Sequence, residues 1–194
     1  MSSNNDDAPS EPLDRLPLDG LSASWTSVHS TDREELSITF ENEAWTVQGI
    51  VSGADIHYVV RLSATWKVQQ MLLFRDLEDP DLWLANDGRG QWGEINGSQR
   101  RELGGCEDID ISCSAFTRFL AVRRLELDVG ATSAVHSVVV DPDSLAISRA
   151  RISYTRVSPR TWLVSRDDGS PDQQFDVDAF GLPLDVPGHF TRTS

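Results

Sequence analysis

Lysine is almost missing from this chain: Lys67 is the only one in 194 residues. Every other strong base is an arginine, and 17 basic residues stand against 31 acidic ones, a formal net charge of −14. A field of that sign repels phosphate backbones and anionic headgroups, so nucleic-acid binding and electrostatic docking on acidic membranes are disfavoured. An acidic, lysine-poor composition fits a halophilic cytoplasm, where net charge keeps chains soluble. Cysteine is scarce too, and two residues do not make a secreted disulfide scaffold. No stretch approaches the ~20 apolar residues that span a bilayer. The N-terminal MSSNNDDAPSEPLDRLPLDG has neither the basic start nor the apolar core of a secretory signal, so a cytoplasmic location is expected. The nucleophile elbow GxSxG is absent. His29, His57, His136 and His189 lie scattered, without partners at metal-ligand spacing. Neither a metal nor a cofactor is expected.

What is present is alternation. Residues 1–20 carry Pro9, Pro12 and Pro17 and little to bury, and read as a disordered acidic tail. Residues 21–194 read as one domain, which a 39% hydrophobic content supports. Leu36, Ile38 and Phe40 alternate with polar neighbours, as do Trp45 and Val47, with Gly49 and Gly53 marking a bulge and a turn. Ile56, Tyr58, Val60, Leu62, Ala64, Trp66 and Val68 hold one parity for longer than an ordinary strand. That run must bend sharply or break into consecutive strands, and either outcome curls the sheet. Further short alternating segments follow, joined by turn-rich links such as DPDS and RDDGSPD. The expectation is a mostly-β barrel, roll or sandwich.

One helix is expected near residues 114–121, where Ser114 can cap and Phe116, Phe119 and Leu120 fall at i, i+3, i+4. At about two turns it is too short to persist alone, and a sheet wrapped around it would give it support. The GxGxxG match at Gly88–Gly93 sits between two short strands rather than before a helix, and Asp87-Gly88 reads as a hairpin instead. Cys106 and Cys113 read as ordinary thiols. Asp108 and Asp110 are the most informative polar pair, sharing one parity while Ile109 and Ile111 share the other. With the isoleucines inward, both carboxylates form a solvated strand face; in a roll with a polar lumen they point together into a cavity. Arg123 and Arg124 are candidate guanidinium partners, at the start of the next strand. Most of the six tryptophans read as β-core.

The run GGCEDIDISCSAFTRFLAVRRLEL, preceded by GRGQW and followed by FDVDAFGLPLDVPGHFTR, resembles the "putative glycolipid-binding" family, formerly a domain of unknown function. The resemblance covers roughly residues 24–192. Ala115, Arg118 and Ala121 stand where the family pattern has proline, asparagine and proline. It implies a spiral β-roll around one helix, with homodimer formation. It also implies non-catalytic binding of a glycolipid or other amphipathic lipid within the roll. Asp108, Asp110, Thr117, Arg123 and Arg124 would then hold the polar end, with Trp92 and Tyr154 as aromatic wall. Two other classes stay open: an acid/base enzyme using Asp108 or Asp110 on a sugar or ester, and a dimeric scaffold without a small ligand.

Overall fold

The computed structural model describes residues 12–75 and 79–194. Eight strands form one antiparallel sheet: β1 (Leu21–Ser27), β2 (Arg33–Glu41), β3 (Ala44–Ser52), β4 (Ile56–Ser63), β5 (Val68–Phe74), β6 (Leu82–Asn86) and β7 (Trp92–Glu94), with β13 (Phe190–Arg192) on the far side of β1. From β1 to β7 each strand pairs with its chain neighbour, as short turns dictate, while β13 returns from the end of the chain to β1. The long apolar run breaks as its length required. β4 ends at Ser63, and Trp66 turns the chain with a left-handed φ of 65° before β5 begins. The irregularity in pairing lies between Arg61 and Leu62, not at Gly49. Gly49 sits in register opposite Tyr58, and a Cβ there would stand 2.0 Å from the Tyr58 ring. Its missing side chain makes room for that ring to cross the sheet face.

The second sheet contains β8 (Asp108–Ile111), β9 (Thr132–Asp141), β10 (Ala146–Arg156), β11 (Thr161–Arg166) and β12 (Gln173–Asp176). Its order is β12-β11-β10-β9-β8. All its pairings are antiparallel except β8 with β9, where Ile109 lies beside Val138 and Ile111 beside Val140. A parallel pair needs a crossover, and the crossover here is the helix α1 (Thr117–Leu125). The fold is thus a mostly-β curled roll around one helix.

α1 begins at Thr117 and runs through both arginines, so the Arg pair closes the helix instead of opening a strand. Glu126 ends it in the left-handed conformation, with φ 47°. Phe116, Phe119 and Leu120 enter the larger core with Trp25, Tyr58, Leu62 and Met71. Ala121 and Val122 enter a second core with Ile152, Tyr154, Trp162 and Phe175. A helix buried on two sides gains its stability from packing rather than propensity. Residues 1–11 of the predicted tail lie outside the described residues; beyond them, Leu16 packs into the larger core and Asp14 N–H donates to Ala179 O at 2.8 Å. Among the described residues no helix is long and apolar enough to cross a membrane.

Candidate functional site

The polar face of β8 does not meet water. Asp108 is 3% exposed and Asp110 8%, because α1 lies across that face while Ile109 and Ile111 fill the core behind it. Thr117, Ala121 and Arg124 recur at i, i+4 and i+7 and so form one stripe of the helix. The helix runs antiparallel to β8, bringing Thr117 to Asp110 and Arg124 to Asp108. Small Ala121 between them lets the backbones approach.

Arg124 holds Asp108 with two bonds, Nε to Oδ1 at 3.1 Å and Nη2 to Oδ2 at 2.8 Å, and reaches Glu107 at 3.4 Å. Burial pushes the Asp108 carboxyl above its ordinary value, and Arg124 works against that shift. Asp110 accepts from the Thr117 hydroxyl at 3.0 Å and from Arg166 Nη2. Asp110 also lines a cavity of about 520 Å³ with Arg118, Arg166, Gln173 and His189. Val139, Val164, Pro171 and Pro187 supply its apolar wall, and Asp168 and Asp172 stand exposed at its rim.

A second hollow, about 250 Å³, shares Ser112 and His189 with the first and continues past them to His29, Cys113, Glu34 and Phe190. His189 therefore straddles one longer groove at the N-terminal end of α1. Behind the groove lies Glu34, 2% exposed. It accepts from Tyr58 Oη at 2.5 Å, Ser114 Oγ at 2.5 Å and the Ala115 N–H at 2.8 Å. Ser114 in turn accepts from the Phe116 N–H at 3.1 Å, which closes the turn before the helix; the N-cap itself is Phe116 and carries no side-chain bond, so Ser114 does not cap α1 as expected. Burial raises the Glu34 carboxyl above its ordinary value, against those bonds. The same burial pushes the Cys113 thiol up to about 12, followed by the charge of Glu34. Cys106 and Cys113 are both free thiols.

The remaining sequence candidates are dispersed. Arg123 points away from both carboxylates: it lies 5.3 Å over the Trp66 ring and donates to Asp14 O and Phe180 O. Trp92 is 2% exposed and donates to Cys106 O at 3.0 Å, which joins β7 to the entrance of β8. Tyr154 is buried in the second core, where the charges of Asp110 and Asp108 reinforce the upward push of burial on its hydroxyl. Among the described residues no group of three His, Cys, Asp or Glu is placed to hold a metal ion.

Sequence reasoning marks Arg118 only as a departure from the family pattern and does not reach Glu34, Arg166 and Gln173. Two of these three carried a signal. Glu34 shares the parity of Leu36 and Ile38, and Arg166 that of Trp162 and Val164, so each is a charge on an apolar strand face.

Residues 22–192 match the family described as "Putative glycolipid-binding". The chain belongs to that family. A crystal structure of a DUF1089 family protein from Pseudomonas aeruginosa is similar in fold, with a TM-score of 0.68 and 26% identity over 94% of this chain and 97% of that one. No curated protein matches the chain. Arg118, one of the three departures expected from the sequence resemblance, lies in the cavity.

Proposed function

We propose that this family member binds an amphipathic ligand of glycolipid type without converting it, and that the ligand sits in the groove at the N-terminal end of α1. The observation that carries the reading is the cavity of about 520 Å³, in which Asp110, Arg118, Arg166 and Gln173 meet an apolar wall of valines and prolines. Small-ligand sites have this size and this mixture of few polar groups on apolar walls. The ligand is moved from the roll's interior to its mouth, because Trp25, Trp92, Trp162, Phe116 and Phe119 fill the interior at 2% exposure or less. Asp110 and Thr117 keep their proposed role at the polar end. Asp108 and Arg124 become its support, and Trp92 and Tyr154 its frame.

Binding is favoured over acid/base chemistry by the state of the two β8 carboxylates. Asp108 is closed off by Arg124, and Asp110 is engaged through both oxygens. A general acid or base needs a free oxygen aimed at the reacting atom.

Native mass spectrometry and calorimetry with octyl β-D-glucoside, below its micelle concentration, test the reading. One-to-one saturable binding that is lost in Pro187→Trp, which fills the cavity from an exposed wall position, supports it. Absence of binding, or binding indifferent to that substitution, overturns it.

A further inference from the structure

Two guanidiniums share one buried carboxylate in this cavity, Asp110. Asp110 already accepts through both oxygens, one from Thr117 and the other from Arg166. Arg118 is 9% exposed, yet its hydrogen-bond acceptor is the neutral amide oxygen of Gln173, 2.6 Å from Nη2. Its Nε is buried with no acceptor among the described residues. A buried cation without its own counter-ion is unfavourable, and arginine does not escape by losing its proton. Burial, and after it the nearby Arg166, hold the Arg118 guanidinium below its ordinary value, with Asp110, Tyr154 and the more distant Glu34 working the other way without bonding to it. His189, at the edge of the same space, is depressed first by burial and then by Arg118. Asp168 and Asp172 stand exposed at the rim; the charge of Asp168 reaches Arg166, and neither rim acid acts on Arg118.

We infer that the groove is selective for an acidic head group: a carboxylate, phosphate or sulfate seated on Arg118 beside Arg166 supplies the second anion that the cavity lacks. This rests on the binding reading above and narrows its ligand class from glycolipids in general to anionic ones. Guanidinium forks suit planar or tetrahedral oxyanions, donating to two oxygens in one plane. The chain's net charge of −14 opposes anions at a distance, so this preference is local to the cavity and short in range.

Three probes separate the possibilities: octyl β-D-glucoside, octyl β-D-glucuronide (the same amphiphile with a carboxylate on the sugar) and inorganic phosphate, each titrated calorimetrically. The glucuronide is expected to bind at least tenfold more tightly than the glucoside, the scale of one charge-assisted hydrogen bond. Arg118→Gln removes that preference, bringing the affinities of its two amphiphiles to within about threefold of each other. Gln173→Glu does not depend on removing a buried residue: it places a carboxylate against Arg118, and is expected to raise the melting temperature while lowering glucuronide affinity at least tenfold. Equal affinity for the two amphiphiles, or a Gln173→Glu protein that is less stable and still prefers the glucuronide, overturns the inference and leaves the binding reading intact. Arg118-dependent binding of phosphate with neither amphiphile bound supports the anion seat and overturns the glycolipid reading. No binding of any probe overturns both.

Discussion

Asp108 and Asp110 stand two residues apart on one strand, face the same helix and are both buried, yet their surroundings assign them different work. Asp108 is gripped through both oxygens by one guanidinium, which spares only a longer contact for the exposed Glu107, and the pair is closed at 4% exposure for the Asp108 side chain and 14% for Arg124. Asp110 shares its single charge between a hydroxyl and two arginines, with 12% of its side chain and 25% of Arg166 still reachable. The helix geometry produces the difference. Thr117 and Arg124 are seven residues apart, about 10.5 Å along the axis, so the stripe that faces β8 ends in a short neutral side chain at one end and a long cation at the other. The short end leaves space, and the groove occupies it. A buried carboxylate is therefore structural or functional here according to whether its charge is balanced one to one.

The largest test of that contrast removes a partner from the balanced pair. Arg124→Ala leaves Asp108 as a buried, unpaired acid, and is expected to lower unfolding free energy by about 3–5 kcal/mol in urea titrations. The double variant Asp108→Leu with Arg124→Met is expected to recover most of that loss, since an apolar pair of similar volume removes the desolvation penalty as well. A single variant within about 1 kcal/mol of the parent would show that the pair carries no structural weight.

Glu34 supplies the reference case, a buried carboxylate held by hydroxyls and an N–H with no guanidinium bonded to it. Glu34→Gln leaves one of those three donors without its acceptor and is expected to lower stability by about 1–3 kcal/mol below the ordinary carboxylate range. The pH dependence has a definite sign. Burial raises the folded-state value above the ordinary 4.5, so the folded protein holds this proton more tightly than the unfolded chain. The group's contribution is then complete below about 4.5 and is lost as pH rises through the folded-state value. The gap between parent and Glu34→Gln must therefore narrow with rising pH. A gap that widens over that interval contradicts the assignment.

Arg166→Ala comes next, at about 1–2 kcal/mol, between the limits for buried and surface pairs. Asp110 keeps Thr117 and the charge of Arg118, so its loss of Arg166 is softened where the loss of Arg124 by Asp108 is not. An effect equal to that of Arg124→Ala would erase the distinction between the two carboxylates.

Much of this architecture was legible in the alternation of the chain. Period-2 runs located most strands, and the excessive length of Ile56–Val68 foretold the break that Trp66 makes. The helix was seen but placed too early, since Phe116, Phe119 and Leu120 describe only the side facing the larger core. Ala121 and Val122 face a second core, and a helix buried on two sides has no single apolar stripe to measure. Arg118 shows in the sequence only as a departure from the family pattern, and its burial stays unreadable for the same reason. The fate of Asp108 and Asp110 was undecidable from parity, because parity says which residues share a face and not what covers it. Glu34 and Arg166 were readable in principle as charges on apolar parities. Gly49 was misread as a bulge because a glycine in a strand signals close approach as well as irregularity, and the approaching group, the Tyr58 ring, comes from the next strand.

The finest test concerns the hydrogen bond that ties the groove to the helix. Thr117 Oγ1 donates to Asp110 Oδ1 at 3.0 Å and also approaches Ser114 O at 3.4 Å. Thr117→Val preserves the β-branched shape and removes the donor, so packing against β8 is retained and the expected loss is about 1 kcal/mol. The freed oxygen of Asp110 then has a choice between water in the cavity and the guanidinium of Arg118. If it turns to Arg118, the cavity's second cation acquires a partner and the preference for the acidic amphiphile over the neutral one should fall, although no residue of the cationic pair has changed. Calorimetry with octyl β-D-glucuronide and octyl β-D-glucoside on Thr117→Val reads this directly. An undiminished preference would mean that Thr117 anchors the helix alone and leaves the division of charge between Arg118 and Arg166 untouched.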